Sequence, residues 1–472
     1  MQANRAEATA GGASGQASSS MCFSHTPEPT EPVGTRYRRI GTPIPVPESL
    51  AVLERLRELE PRSMSGQPPI VWHHGDGATV SDAYGNTWID FSSGVLVTSC
   101  GHAHPRITAA ITGLAQQGLH HAYCFATEAR AELVRELASW LPEPLCRVFL
   151  LTTGAEATEC CIKLARTCGM QRGDERKNVI VSFDHAFHGR TMGAQLAGGS
   201  PGLKGWLGSL GKGQFVSVPY PDGFRQRDTG FDVFERALAE QGVTPDRVCG
   251  VISETYQGCN AALLPRAYAQ ALRAWCDRSG AVLILDEIQA GFGRTGAPFG
   301  FSHLDITPDL VACGKGISGG MPLSAVLGTD ELMSLYGPGE MTSTHSANPI
   351  CCAAALANLR VIREDGLVEH AARLAPVLRD GLERIQSAAG DPVGRIDAVG
   401  LVGAVQFTHP GTCQPDPLPA WALVRRAVRR GVLLFAPVGV GGAAIKINPP
   451  LVIAEDALRE GLDVLVEAAG EL

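Results

Sequence analysis

Between Gly101 and about Ala355 the chain alternates short, continuous apolar runs with stretches of helical period. The runs cover residues 148–151, 178–183, 214–218, 249–253, 282–285 and 310–312. A run that is apolar throughout, rather than at every second position, belongs to a strand buried on both faces. Strands of that kind separated by helices predict a mostly parallel sheet covered by helices on both sides, an α/β fold. A long helix is expected to begin near Asn348. After it, residues 356–472 read as a smaller α+β domain with strand-like runs at 401–407 and 433–436 and a terminal helix from Glu455.

The N-terminal part is different in kind. Residues 1–20 are rich in Ala, Gly, Ser and Gln, a composition that cannot bury enough apolar surface to order itself, and Met21 offers a second possible start. A disordered tail is expected over residues 1–36. Residues 37–100 then form an N-terminal segment that packs with the small domain. It holds Pro43, Pro45 and Pro47, a helical pattern over Leu50–Leu59, and a hairpin-like stretch from Val71-Trp72 to Asp90 around a Tyr84-Gly-Asn86 turn. Residues 101–355 make up the large α/β domain.

Composition narrows the functional classes. The 472 residues suffice for one large core and a smaller one, with 44% hydrophobic and 19% charged residues. A net charge of −8 without a basic block argues against nucleic acid or an anionic membrane surface as partner. The 14 cysteines include two adjacent pairs, Cys160-Cys161 and Cys351-Cys352, and no C-x-x-C spacing. That pattern predicts reduced thiols and a cytoplasmic protein. Two histidines flank Ala103 in Gly101-His-Ala-His-Pro105, but without a third ligand nearby no metal is expected there.

Candidate chemistry concentrates where apolar runs end in charge. Residues 281–286 read Ala-Val-Leu-Ile-Leu-Asp, and Lys315 follows the run at 310–312 inside Gly314-Lys315-Gly316. A buried acid and a lysine at neighbouring strand ends suit a pyridine aldehyde cofactor. The amine forms a Schiff base with the aldehyde, and the carboxylate keeps the ring nitrogen protonated. A structural ion pair beside a surface lysine would leave the same two residues. Thr152-Thr-Gly-Ala-Glu-Ala157 joins a run to a helix, and a small-residue turn at a helix N-terminus suits a phosphate.

These segments resemble the signature of the class III (ω-amino) aminotransferases, pyridoxal-phosphate enzymes of fold type I, and the likeness runs from about Tyr37 to the C-terminus. The resemblance implies a fold type I architecture, transfer of an amino group from an ω-amino acid or amine to a keto acid by a ping-pong route through Lys315, and a homodimer with shared sites. Lys315 then holds pyridoxal 5'-phosphate and moves the substrate proton, and Asp286 pairs with the ring nitrogen. Ile288 packs under the ring and Gln289 reaches the phenolic oxygen. Gly154 and Ala155 take the phosphate, with Ala155 standing where many relatives have Ser or Thr. In Phe183-Asp-His-Ala-Phe-His-Gly-Arg-Thr191, Phe187 stacks on the ring, His188 is a hydrogen-bonding wall or a packed histidine, and Arg190 holds the substrate's distant carboxylate. Thr344, counted back from Asn348-Pro349, reaches the phosphate of the neighbouring subunit.

Two departures bear on the substrate. Glu254-Thr-Tyr-Gln-Gly-Cys259 stands for the usual Glu-Pro-Val-Gln-Gly-Glu, and Lys446-Ile-Asn-Pro-Pro-Leu451 for Arg-x-x-Pro-Pro-Leu. The resemblance implies that Glu254, Cys259 and Lys446 face the substrate, and that the usual glutamate–arginine switch is absent. Lys446 is then a weaker carboxylate anchor, or the acceptor is not the usual one. Epimerisation, decarboxylating transamination and phospho-lyase chemistry on the same scaffold stay open, as does a cofactor-binding regulator without turnover. A racemase would draw on Cys259 or His188 for its second proton donor.

Overall fold

The computed structural model describes residues 21–472. Its central sheet has seven strands: β1 (Leu145–Leu151), β2 (Val179–Phe183), β3 (Phe215–Val218), β4 (Val248–Glu254), β5 (Val282–Asp286), β6 (Leu310–Cys313) and β7 (Ser324–Thr329). Their spatial order is β1-β7-β6-β5-β4-β2-β3. Strand β7 runs antiparallel to both neighbours, and every other pairing is parallel. The six expected runs all fall on these strands, two of them beginning one residue early, at Asn178 and Gln214. The seventh, β7, is not predicted by an apolar run, because Ser324, Gly328 and Thr329 dilute it.

Strand β5 shows why continuous apolar runs end up here. All five residues are buried. Val282 and Ile284 join the cluster beneath helix α1 (Gly154–Arg172), while Leu283 and Leu285 point into the main core on the opposite face. Each such side chain, fully removed from water, stabilises the fold by about 1.5–3 kcal/mol. An Ile284→Asp change would bury an unpaired charge and break the sheet at its middle. Helix α1 lies close to the sheet: a Cβ on Gly169 would sit 2.3 Å from the Cys249 Cβ of β4.

After α2 (Pro349–Glu364), whose start is capped by the Asn348 side chain, come α3 (Leu367–Ala389) and the antiparallel strands β8 (Val393–Val399), β9 (Val402–Phe407) and β10 (Ala444–Ile447). The terminal helix α4 (Glu455–Ala469) packs on α3 where Gly381 leaves room for Leu462. The strand-like run expected at 433–436 is shorter and earlier, Val432–Leu433, and it pairs in parallel with Thr87–Asp90 of the N-terminal sheet. The expected hairpin is there as Thr79–Ser81 and Thr87–Asp90, whose turn is tied by Asp82 Oδ1 accepting from Tyr84 N and Asn86 N. Its outer strand is His74–Asp76 rather than Val71-Trp72.

Residues 1–20, expected to be disordered, lie outside the described residues. The expected tail also took in residues 21–36, and these make defined contacts. Glu28 exchanges backbone hydrogen bonds with Ile44, Val33–Gly34 pairs with Arg39–Ile40, and Phe23 meets Trp421 edge-on at 5.3 Å. The expected helix Leu50–Leu59 forms as a surface element that buries none of its residues. Among the described residues no helix is long and apolar enough to cross a membrane.

Candidate active site

The parallel strands deliver their chemistry at their carboxyl ends, where ligand sites of open α/β sheets lie. Glu254 closes β4 and Asp286 closes β5, and the two are direct partners in the strand register. Lys315 follows β6 in a short turn, with its backbone held at φ +44. That left-handed conformation is strained for a non-glycine residue and typical of functional sites. The loop after β2 brings Phe187, His188 and Arg190, and the turn after β1 brings Thr153 and the start of α1. Together they enclose a cavity of about 390 Å3.

The buried electrostatics centre on Asp286. Its Oδ1 accepts the Ile288 N–H at 3.0 Å, and its Oδ2 bonds to His188 Nδ1 at 2.7 Å. Burial pushes the His188 imidazolium down, but the hydrogen bond and charge of Asp286, helped by Glu254, outweigh it and raise the group overall. The far nitrogen of His188, Nε2, is buried without a partner. Lys315 is held below the usual lysine range by burial, against the upward pull of Asp286 and Glu254, and among the described residues no hydrogen bond engages its amine. Glu254 accepts N–H groups from Gly258 at 2.8 Å and Phe187 at 3.1 Å, yet burial pushes its carboxyl up to about 7.

At the other end lies the N-terminus of α1. Thr153 and Glu156 form a reciprocal capping box, with Thr153 Oγ1 accepting from Glu156 N at 3.2 Å and Glu156 Oε2 from Thr153 N at 2.8 Å. The first helical N–H groups, at Gly154 and Ala155, have no acceptor within the helix. Ile288 forms a floor between two glycines: a Cβ on Gly154 would lie 3.0 Å from it and one on Gly314 3.3 Å. Gly189, at φ +131, leaves no room for a side chain, because a Cβ there would be 2.8 Å from the Ala155 Cβ.

Of the residues expected at the site, Gly154, Ala155, Phe187, His188, Arg190, Glu254, Asp286, Ile288, Gln289 and Lys315 line this one cavity. Phe187 is half exposed, with the Arg190 guanidinium 5.5 Å from its ring centre. Three others lie elsewhere. Thr344, expected to reach the phosphate of the neighbouring subunit, is exposed and outside this chain's own cavity wall. Cys259 is not among the lining residues, its thiol lies 3.9 Å from Gln257 Oε1, and burial pushes it up to about 12. Lys446, expected to anchor a carboxylate, is 2% exposed and spends its amine on Gly258 O at 2.9 Å and Gln289 Oε1 at 3.2 Å. Burial and pairing inside the small-domain sheet take it off the cavity surface. Two lining residues went unanticipated, Thr153 and Tyr256. Tyr256 stands where the resemblance puts valine, and that exchange was the available signal. His102 and His104, the pair without a third ligand, also have separate partners: His102 Nε2 bonds Asp90 Oδ2 at 2.8 Å, and His104 lies 4.0 Å from Asp365.

The arrangement fits a phosphorylated pyridine aldehyde. It offers an unbonded amine, a carboxylate next to it, a partnerless imidazole nitrogen, and a helix N-terminus where glycine keeps the wall low. A family profile described as Aminotransferase class-III matches residues 62–469. A 4-aminobutyrate aminotransferase of Mycobacterium leprae is 34% identical over 453 residues, spanning 92% of this chain and 98% of its own length. A 2-aminoadipate transaminase of Pseudomonas putida is 36% identical over 416 residues, 86% of this chain and 96% of its own. Among solved structures, the ornithine aminotransferase of Toxoplasma gondii superposes with a TM-score of 0.79 at 27% identity, covering 89% of this chain and 94% of that one.

Proposed function

Because the chain belongs to the class III aminotransferase family, a family of pyridoxal-phosphate transaminases of fold type I, we propose that it moves an amino group to a keto acid from a donor whose carboxylate lies several carbons from the reacting amine. The observation that carries this is the pair at the strand ends, a Lys315 amine free of hydrogen bonds beside a buried Asp286. Bound pyridoxal phosphate supplies an aldehyde that exchanges amines and a ring that takes up the electron pair left on the substrate carbon.

The protein does the rest. Lys315 carries the cofactor, and burial holds its amine below the usual lysine range, which favours its taking a proton from the substrate carbon and returning it one position along. Asp286 sets a negative charge against the ring nitrogen, and His188 holds that carboxylate in place from behind. Ile288 supports one face of the ring and Phe187 covers the other. Gly154 and Ala155 give backbone N–H groups to the phosphate. Arg190 has no acidic partner among the described ion pairs and lines the cavity, so it is free to hold a distal carboxylate through two parallel hydrogen bonds. The names of the two curated relatives fit such donors, since 4-aminobutyrate and 2-aminoadipate each carry a carboxylate remote from the amine.

Racemisation requires a proton donor on each face. Cys259 is not among the lining residues, His188 lines the cavity with Nδ1 tied to Asp286 and Nε2 unpartnered, and both curated relatives are named as transaminases. Transamination is therefore the better supported reading. A homodimer is proposed from the exposure of Thr344 and from the unburied helix Leu50–Leu59, and sedimentation of the loaded enzyme tests it. Cytoplasmic residence is proposed because no disulfide joins any of the 14 cysteines.

The test is to mix the loaded enzyme with candidate donors in the absence of acceptor. Loss of its visible absorption, restored by a keto acid, is expected. A compound consumed while the absorption returns unaided would overturn transamination. Chains of wild type reduced with borohydride should gain the cofactor's mass, and chains of Lys315→Met should not.

A further inference from the structure

We propose that Lys446 is a positioning residue that fixes the side-chain amide of Gln289 with its nitrogen turned to the cavity, so that this wall presents a hydrogen-bond donor. The proposal rests on the reading of Gln289 as a contact of the cofactor's phenolic oxygen.

Lys446 comes from β10, paired with Ala404 of β9, and reaches the cavity wall from behind. Its amine donates to Gly258 O at 2.9 Å and to Gln289 Oε1 at 3.2 Å, and it lies 5.1 Å from the centre of the Tyr256 ring. Burial holds the Lys446 amine down to about 7, and in its ammonium form it offers donors only. The amide oxygen of Gln289 must therefore face it, because the flipped amide would set N–H against N–H. The nitrogen Nε2 is left with no hydrogen bond of its own in a residue that lines the cavity. The backbone is pinned as well, with Tyr256 Oη donating to Gln289 O at 3.1 Å. Gly258 completes the fit, since a Cβ there would lie 2.1 Å from Nε2 and 2.8 Å from Glu254 Oε1.

A free glutamine is two-handed and can donate to a phenolate or accept from a phenol. Held by the Lys446 ammonium it can only donate, which favours the deprotonated oxygen. The same commitment removes Lys446 from service as a carboxylate anchor. Its loss should thus change the cofactor's electronic state and kcat, and leave the KM of the acceptor nearly unaltered.

The test follows the visible absorption of the loaded enzyme against pH in wild type, Lys446→Met, Gln289→Ala and the double variant. Either single change should raise the midpoint by about one pH unit, the loss of one charge-assisted donor, and the double variant should go no further. Lys446→Gln, which keeps a donor toward Gln289, should recover most of the wild-type midpoint. Acceptor KM in Lys446→Met should stay within about threefold while kcat falls about tenfold. Lys446→Asn, too short to reach Gln289, repeats the measurement if the Met variant does not fold. A midpoint that moves in Gln289→Ala but not in the Lys446 variants overturns the proposal, and so do additive shifts, or a large rise in acceptor KM with an unchanged spectrum. A Gln289→Ala midpoint equal to wild type removes the cofactor contact itself, and the role of Lys446 with it.

Discussion

Asp286→Asn alters one charge and almost no shape. Asp286 is 4% exposed, and its two oxygens have separate duties, Oδ1 toward the Ile288 N–H at 3.0 Å and Oδ2 toward His188 Nδ1 at 2.7 Å. The asparagine oxygen can keep the first bond, so the turn after β5 should survive and the unfolding temperature should change little. The asparagine amide instead faces His188 Nδ1 as a donor. Without the charge that outweighs burial, the imidazole holds its proton less tightly, and in the neutral form it can accept that bond. Lys315 loses the stronger of its two upward influences and falls further below the usual lysine range. Removing one member of a buried, hydrogen-bonded charge pair costs about 3–5 kcal/mol. Applied to the ring nitrogen during proton transfer, that corresponds to a slowing of roughly 10²–10⁴-fold. The assay is a single turnover of loaded enzyme with saturating donor and no acceptor, read by loss of the visible band. A rate within about tenfold of wild type, with the cofactor still bound, would refute the pairing of Asp286 with the ring.

Ala155→Ser restores a hydroxyl at the phosphate end and should tighten the cofactor by about 1 kcal/mol, a several-fold lower Kd by equilibrium dialysis. Gly189→Ala forces a side chain into φ +131 and to within 2.8 Å of the Ala155 Cβ. It should destabilise the cofactor-free chain by about 2 kcal/mol or more in urea unfolding. Glu254, raised from 4.5 to about 7 by burial, binds its proton more tightly folded than unfolded. Its contribution to stability is therefore full below pH 4.5 and is lost as pH rises through about 7, on the order of 3 kcal/mol over the window. Thermal unfolding of Glu254→Gln across pH 4.5–7.5 should show a flatter slope than wild type, and parallel slopes would count against the assignment.

Much of this was readable along the chain, for a physical reason. Strands buried on both faces need apolar side chains at every position, and the six parallel runs announce themselves that way, with Asp286 and Lys315 at or just past their ends. Strand β7 hides because small and polar residues suffice where it lies between β1 and β6. The short pairings of residues 21–36 hide too, since a two-residue strand such as Val33–Gly34 has no period to detect. Lys446 is the instructive case at the site. Nothing local says that its neighbours are Gly258 and Gln289, because that meeting depends on β9 and β10 bringing residue 446 back to the wall behind the cavity. Tyr256 is hidden likewise, an aromatic whose ring is core and whose edge is cavity wall.

Because Glu254 and Asp286 are opposite one another in the register of β4 and β5, the pair of carboxylates exists only while both strands keep their residue count. Side chains alternate faces along a strand, so deleting or inserting one residue in either strand sends its terminal acid to the opposite side of the sheet. The chain can therefore change length freely in the connecting helices and loops, but in β4 and β5 it is confined to substitution. Over descent, these two strands should be where length polymorphism is absent, whatever happens to their composition.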